Sequence, residues 1–254
     1  MKISAVIITF NEEANIADAI SSVAFADEIL VIDSKSEDAT TEIANTLGAN
    51  VIIRDWPGFS EQKQFGTDNA AHDWIFSLDA DERVSPSLAS EIKAIKESGP
   101  PADGFTISRL STYMGREIRH SGWYPDRQLR LFDRRKARWN GREIHESVEM
   151  SQGAKTTGLH GDILHFSVEN AAHHHRMIGE RYAPLAAQRM FRTGRRTSTL
   201  GVVIAGPAAF FRSYFLKLGF LDGFPGFCIA RFAAHHAYLK HLMLWEMLNR
   251  PSEK

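Results

Sequence analysis

The chain has 254 residues, 43% of them hydrophobic and 24% charged, which is the composition of a globular protein with a sizeable core and not of a disordered or fibrous one. A single cysteine, Cys228, excludes an internal disulfide and fits a reducing, cytoplasmic setting. The net charge of −1 hides an asymmetry, because residues 1–169 carry −9 and residues 170–254 carry +8, with 12 Lys and Arg against 4 Asp and Glu.

The first part of the chain alternates apolar runs with helical patterns. The opening segment MKISAVIITFNEE has too short an apolar run for a signal peptide, so residues 3–10 are predicted to form the first strand. Short loops between alternating strands and helices predict a mostly parallel sheet flanked by helices. The further predicted strands are 28–33, 50–55 and WIFSLDAD (74–81), and the predicted helices are 12–25, 36–48 and 60–72.

Polar side chains follow several of these strands. Asp33 and Asp79 each end an apolar run, and Thr9 to Asn11 end the first one. Ligands of such sheets bind at the carboxyl ends of the strands, so we expect these residues to line one crevice.

The pattern changes after Pro100. Strands are predicted at 103–110 and 127–133 and within 153–167, and the chain reads as helical from about residue 170. The helical patterns cover 176–192, 200–221 with an interruption at Pro207, and 226–249. No uninterrupted apolar run reaches the roughly 18 to 20 residues that span a bilayer. We therefore predict an α/β domain at 1–169 and a basic helical extension at 170–254.

The segment LDADE (78–82) has three interpretations. Its acids could cap the helix that Ser85 and Pro86 introduce, or lie in a solvated turn. They could also hold a divalent cation, since Mg²⁺ is commonly bound by one or two carboxylates together with substrate phosphates. The position at the end of a buried strand favours the cation, and the pattern does not separate Mn²⁺ from Mg²⁺.

Four segments together resemble family 2 glycosyltransferases in order and spacing. They are AVIITFNEEANIADAISSV, ILVIDSKSEDAT, GFSEQKQFGTDNAAHDWIFSLDADERV and GREIHES. The chain is most similar to the enzymes that add a sugar to the inner core of lipopolysaccharide, and PAAFFRSYFLKLGFLDGFPGF (207–227) also resembles that subgroup. The resemblance implies the nucleotide-sugar-binding α/β fold called GT-A.

The resemblance also implies roles for single residues at the donor site. Thr9, Asn11 and Glu12 occupy the first nucleotide-contacting turn, and Asp33 the position that contacts uracil or ribose. The alternative for Asp33 is that it only closes an Asx-turn. The remaining implied donor-site residues are Lys63 near the nucleotide, Asp79 at the ribose or metal, Asp81 as a metal ligand and His165 as a third metal ligand. Arg130 is a candidate on its own chemistry, because an arginine fork binds phosphate; it could contact the donor diphosphate or a phosphorylated acceptor.

Transfer of a glycosyl group needs a base that takes the proton of the acceptor hydroxyl. In the family an acid near GREIHES has this role, which here implies Glu146. The family more often has Glu-Asp at this position, and this chain has His145 before Glu146, so either side chain could accept the proton.

The expected function is that of an inverting, metal-dependent glycosyltransferase using Mn²⁺ or Mg²⁺. It would move a sugar, with glucose expected, from a UDP-sugar to a lipid-linked acceptor of the lipopolysaccharide core. The basic extension favours an anionic membrane surface over nucleic acid, which places the protein in the cytoplasm, peripheral on the inner membrane. The alternatives are transfer to a polyprenyl-linked or other glycolipid, a sugar-nucleotidyltransferase, and a non-catalytic adaptor that binds nucleotide or lipid.

Overall fold

The computed structural model describes residues 1–142, 146–166, 168 and 170–250. They form two compact units. The first unit consists of Met1–Leu110 and Asp126–His165, and the second of Ser111–Pro125 and the chain from Phe166 onward. The segment Ser111–Pro125, which the sequence analysis placed in the α/β domain, therefore clusters with the C-terminal helices.

The first unit opens with four parallel strands in the order β3-β2-β1-β4. Every residue of β1 is buried, as expected of a strand that is covered on both faces. The elements are β1 (Ile3–Thr9), α1 (Ile16–Ser22), β2 (Glu28–Asp33), α2 (Thr40–Thr46), β3 (Asn50–Ile53), α3 (Phe59–Asn69) and β4 (Trp74–Asp79).

The rest of the sheet is antiparallel where its pairing is described. β8 pairs antiparallel with β4 and with β6, and β5 pairs antiparallel with β11. The sheet is therefore mixed, with strand order β3-β2-β1-β4-β8-β6-β11-β5, and the expected α/β fold with flanking helices is confirmed. These elements are β5 (Glu82–Val84), α4 (Pro86–Ser98), β6 (Gly104–Tyr113), β7 (Arg116–Glu117), β8 (Asp126–Asp133), β9 (Ala137–Trp139), β10 (Val148–Met150) and β11 (Thr156–His165).

A glycine lets α3 lie close against the sheet. A Cβ on Gly66 would stand 2.4 Å from Cγ1 of Val6 and 3.0 Å from Cγ1 of Ile32, distances that real Cβ contacts do not show or rarely show. Gly66 lies one turn beyond Lys63 on the same helix. The close approach therefore holds Lys63 near the carboxyl ends of the parallel strands.

The second unit is mainly helical. Its core contains Tyr113, Ile118 and Ile229, and the ring of His174 stacks 4.1 Å from that of Phe232. Its elements are α5 (Ala171–Arg176), a π-helical turn (Met177–Tyr182), α6 (Ala183–Arg192), α7 (Thr199–Phe211), a second π-helical turn (Arg212–Leu216), a 3₁₀ turn (Gly219–Asp222) and α8 (Gly223–Asn249).

One expectation for this unit was wrong. Pro207 does not interrupt its helix, because α7 continues to Phe211 and then through the π-helical turn; a proline removes one N–H but does not always end a helix. Within the described part of the chain, Thr199–Leu216 is the one helix long and apolar enough to cross a membrane, with 17% of it buried. Arg212 lies within this segment and interrupts its apolar run.

Candidate active site

The predicted crevice residues lie at one edge of the parallel strands. Thr9, at the end of β1, is paired in register with Asp33 at the end of β2. On the other side of β1, Ile8 is paired with Asp79 at the end of β4. The backbone therefore brings Thr9, Asp33 and Asp79 to the same edge, which is where α/β sheets bind ligands.

Lys63 joins two of the predicted site residues. Its ammonium lies 2.9 Å from Oδ1 of Asp79 and 3.4 Å from Oε1 of Glu146, and it stands 5.2 Å from the ring centre of Trp139. The Lys63 side chain is only 3% exposed, whereas those of Asp79 and Glu146 are 22% and 25% exposed. A buried ammonium needs such partners, and here it fixes both carboxylates around one point.

Asp79 is held as a carboxylate. Burial alone would raise its pKa, but the charges of Lys63 and Arg130 outweigh burial and hold that pKa well below its usual range. Oδ1 of Asp79 is buried and ion-paired with the Lys63 ammonium at 2.9 Å, and the same ammonium donates to Oδ2 at 3.2 Å. The side chain is nevertheless 22% exposed at this edge of the sheet, so a ligand in the crevice can approach the carboxylate.

A buried glutamate, Glu82, contacts the backbone of Asp79, and no role was predicted for it from the sequence. Glu82 is fully buried, accepts a hydrogen bond from the backbone N–H of Asp79 at 3.0 Å, and pairs with Arg130 at 2.7 Å and Arg109 at 3.5 Å. Arg109 also pairs with Asp126 at 2.7 Å. These pairs form one connected network of alternating charge, whose members are in contact in the order Asp126, Arg109, Glu82, Arg130, Asp79, Lys63 and Glu146. Its sequence signal is the third acid of LDADE together with arginines inside otherwise apolar strands.

Arg130 lies inside this network. Its guanidinium is 3.6 Å from Asp79 and donates to the carbonyl oxygen of Ser77 at 3.5 Å as well as to Glu82. The side chain is 5% exposed. Contact between Arg130 and a donor phosphate stays a prediction. In this structure Arg130 lies beside the crevice residue Asp79 and helps to lower the pKa of its carboxyl group.

We expect Glu82→Ala to lower the free energy of unfolding by about 3 to 5 kcal/mol, because it removes the closest partner of the buried Arg130 and one of the two partners of the half-buried Arg109. Urea denaturation of the purified protein measures this. Asp18→Ala is the matched control, since it removes an acid that is 66% exposed from a surface pair with Arg83, worth at most about 1 kcal/mol. Equal midpoints for the two variants would contradict the network.

Asp81 and His165 come together away from Lys63. Nε2 of His165 lies 3.2 Å from Oδ2 of Asp81, and the two side chains are 12% and 25% exposed in that order. The pairing of β5 with β11, which sets His165 opposite Glu82, produces this contact. Among the described residues, no group of three His, Cys, Asp or Glu side chains converges as a complete metal site. One carboxylate and one imidazole nevertheless fit a cation that takes its other ligands from phosphate and water.

The first nucleotide-contacting turn is tied to the loop after β2. Asn11 has a positive φ of 53°, its N–H donates to Oγ of Ser36 and its side-chain oxygen accepts from the N–H of Glu37, both at 2.8 Å. The N–H of Glu12 donates to Oγ1 of Thr40 at 2.8 Å. These bonds fix the backbone of the turn, and the predicted nucleotide contacts of Asn11 and Glu12 stay predictions.

Asp33 closes a turn, which is the alternative raised by its sequence. It is fully buried and accepts hydrogen bonds from the N–H of Ser36 at 2.9 Å and from its hydroxyl at 2.5 Å. Contact of Asp33 with uracil or ribose stays a prediction. His145, the second candidate base, lies outside the described residues.

Two buried polar atoms near the strand ends have no partner in the described part of the chain. They are Oγ1 of Thr9 and Oε1 of Gln62. The amide nitrogen of Gln62 donates to Oγ of Ser34 at 3.1 Å, so its oxygen is held beside the end of β2. An unpaired buried polar atom is costly, and such an atom at a ligand-binding edge is well placed to be satisfied by a bound molecule. Sequence reasoning missed Gln62 and gave only the neighbouring Lys63.

The chain matches a known protein family over more than half of its length. Residues 4–155 match the family model described as "Glycosyl transferase family 2". A glycosyltransferase of Rickettsia typhi is 30% identical over 97% of this chain and 87% of its own length. The lipopolysaccharide core biosynthesis glycosyltransferase LpsC of Rhizobium meliloti is 27% identical over 97% of this chain and 93% of its own length.

Among solved structures, the chain is similar to glucosyl-3-phosphoglycerate synthase from Mycobacterium tuberculosis, solved with Mn²⁺, UDP and glucosyl-3-phosphoglycerate. The identity is 26% over 45% of this chain and 44% of that one, with a TM-score of 0.36. The family model covers more than half of the 254 residues, and it includes the strand ends with Thr9, Asp33 and Asp79 as well as Glu146. The chain therefore belongs to glycosyltransferase family 2, and it is a glycosyltransferase.

Proposed function

We propose that this glycosyltransferase moves a sugar from a UDP-sugar, with glucose the expected sugar, to a lipid-linked saccharide of the lipopolysaccharide core, with inversion and with Mn²⁺ or Mg²⁺. The observation that carries the proposal is the arrangement around Lys63, which fixes the carboxylates of Asp79 and Glu146 about one point at the ligand-binding edge of the sheet. A diphosphate-binding acid and a base need to face the same reacting carbon.

The metal would be held by Asp81 and His165, with Asp79 towards the ribose or the metal. When bound, a divalent cation stabilises the negative charge that develops on the leaving UDP. Nε2 of His165 lies 3.2 Å from Oδ2 of Asp81, so the two side chains are neighbours that could be ligands of one ion. Carboxylate is a ligand that Mn²⁺ and Mg²⁺ both accept, and imidazole is a common ligand of divalent transition metals.

Glu146 is proposed to accept the proton of the acceptor hydroxyl. As that proton moves to the carboxylate, the hydroxyl oxygen forms its bond to the anomeric carbon and the bond from that carbon to UDP breaks with its electron pair. Lys63 holds Glu146 from one side at 3.4 Å, and the carboxylate is still one-quarter exposed. The base is thereby oriented and remains accessible to an acceptor.

The nucleotide would be bound along the ends of β1 and β2. Thr9 and Gln62 offer buried oxygens that lack a partner within the described chain, and both can accept or share hydrogen bonds with hydroxyl or imide groups. Asn11, Glu12 and Asp33 hold the backbone of the two loops in place. The same loops then supply the contacts that the family resemblance implies.

The proposed acceptor is supported by a relative of this chain, and the proposed location at the membrane by the charge of residues 170–254. LpsC, which is named for lipopolysaccharide core biosynthesis, aligns with almost the whole chain, including its helical part. The basic part of the chain, with a charge of +8 over residues 170–254, suits the anionic cytoplasmic face of the inner membrane, where a lipid-linked acceptor would be met.

Isothermal titration of the purified protein with UDP, GDP and CDP tests the donor site, each with Mn²⁺ and again with a chelator. Of the three nucleotides, we expect only UDP to bind in the micromolar range when Mn²⁺ is present. We expect the chelator to weaken UDP binding at least tenfold, because the cation links phosphate to protein. Equal binding of the three nucleotides, or binding of UDP that the chelator leaves unchanged, would contradict the proposed donor or the proposed metal.

A further inference from the structure

The second unit exposes an unusually large set of apolar side chains. Leu200, Leu216 and Phe224 are 66%, 67% and 68% exposed. Large exposed apolar patches mark interaction sites on soluble proteins, and ten exposed apolar side chains within residues 200–224 indicate such a site here. We call this set the apolar face: Leu200, Val203, Ile204, Phe211, Phe215, Leu216, Leu218, Phe220, Leu221 and Phe224.

The apolar face has a helical origin. Leu200, Val203, Ile204, Phe211 and Phe215 recur at the three- and four-residue spacing that puts side chains on one side of a helix. The opposite side of α7 is packed: Val202 is buried, and a Cβ on Gly206 would stand 3.4 Å from the carbonyl oxygen of Ala234 in α8. One side of α7 is thus packed within the second unit, and the other side is exposed.

The segment that contains most of the apolar face is strongly basic. Between Glu180 and Asp222 the sequence has seven arginines and lysines and no acid. Arg195 and Arg196 precede α7, and Arg212 and Lys217 stand at its far end; all four are exposed. Asp222 is itself buried and bonded to His120 at 2.8 Å, so it does not offset this charge at the surface.

We infer that the apolar face docks on an anionic lipid bilayer, with α7 lying in the plane of the membrane interface and its basic ends among the lipid phosphates. An interfacial helix combines an inserted apolar side with basic residues that reach acidic headgroups, and the apolar face has both. The inference deepens the proposed function, because it names the surface that would bring the enzyme to a lipid-linked acceptor.

The neighbouring helix argues for the in-plane arrangement. A helix of 18 residues is roughly 27 Å long, so Thr199–Leu216 could in principle cross the bilayer. It is packed against α8, however, whose middle contains His235, His236, Lys240 and His241. Carrying those groups into hydrocarbon would be costly, whereas an in-plane α7 leaves them outside it. Lying flat also lets Arg196 and Lys217 reach the phosphates of one leaflet together.

Co-sedimentation with vesicles tests this inference. The vesicles are phosphatidylcholine alone, or phosphatidylcholine with phosphatidylglycerol in a ratio of about 7:3. We expect the Asp81→Ala protein, used so that turnover plays no part, to bind the anionic vesicles at least tenfold more strongly than the neutral ones. High salt should weaken the binding, because the charged part of it is screened.

Two variants and one control locate the surface. Leu216→Ser with Phe224→Ser should lower partitioning to anionic vesicles about tenfold or more, and Arg212→Glu with Lys217→Glu should remove the preference for anionic lipid. Ile53→Ser is the matched control, since Ile53 is an apolar side chain 59% exposed in the first unit, and it should change nothing. The substituted residues are exposed, so the variants are expected to fold; circular dichroism checks this.

Several outcomes would overturn the inference: equal binding of the double variants and the Ile53→Ser control, equal binding to both vesicle types, or resistance to alkaline carbonate extraction, which indicates a spanning helix. A change of oligomeric state in the Leu216→Ser, Phe224→Ser variant without a change in vesicle binding would assign the face to a second copy. Vesicle binding that persists in a protein without UDP binding would instead refute the proposed function and leave this inference standing.

Discussion

Replacing Asp81 by alanine is expected to reduce sugar transfer about a thousandfold and to remove the metal dependence of UDP binding. Lewis-acid stabilisation of a leaving group is worth several kcal/mol, and about 4 kcal/mol corresponds to this factor. Asp81 is the carboxylate that meets His165 at 3.2 Å, and it has no ion pair with Lys63 that could replace a cation. Calorimetric titration with UDP, with and without Mn²⁺, measures the binding part independently of any acceptor.

The control for this variant is another aspartate without a place in the crevice. Asp55 is 88% exposed and pairs with Lys35, so Asp55→Ala should leave both UDP binding and transfer unchanged. Thermal unfolding of both variants shows whether a loss of binding comes from a loss of fold. If Asp81→Ala retained Mn²⁺-dependent UDP binding of native strength, the cation would have to be held by other residues.

The positions of the parallel strands could be predicted because they are buried on both faces. Such strands appear as unbroken apolar runs, and a polar residue at the end of each run marks the ligand-binding edge. Thr9, Asp33 and Asp79 therefore fall where the sequence analysis expected them, at the ends of β1, β2 and β4.

The contacts of the charged residues could not be predicted in the same way. β5 has three residues and pairs with β11 about eighty positions later, so no local pattern marks it. This pairing nevertheless decides which side of the DADE segment meets His165. Burial of Glu82 depends on Arg109 and Arg130 from two further strands, and a long-range ion pair has no periodicity.

The division into units also depends on distant contacts. By sequence, residues 111–125 lie mostly in an aromatic, basic loop between the strands predicted at 103–110 and 127–133, and so within the predicted α/β domain. Tyr113 and Ile118 from this segment are instead buried with Ile229 of α8. The packing of that apolar pair against a helix more than a hundred residues later, together with hydrogen bonds from Arg119 and His120 to Asp222, assigns the segment to the second unit.

Glu146→Gln is expected to lower the turnover number by 10² to 10⁴, the usual contribution of a general base, and to leave the dissociation constant of UDP within about twofold of native. Glutamine keeps the size of the side chain and a hydrogen-bond acceptor for Lys63, but its amide cannot take the acceptor's proton. Lys63 also remains paired with Asp79 at 2.9 Å, so the donor site should stay ordered. Single-turnover transfer from a UDP-sugar measures the chemical step.

Two comparisons make the assignment of the base specific. Glu149→Gln removes an acid three residues away that is 62% exposed and lies 3.7 Å from Arg142, and it should leave turnover unchanged. His145→Ala distinguishes the two candidate bases: full turnover in Glu146→Gln together with a large loss in His145→Ala would transfer the role to the histidine. A loss in Glu146→Gln alone, with UDP still bound, would mean that the carboxylate held by Lys63 takes the proton, since no other step in the reaction requires that carboxylate to change its charge.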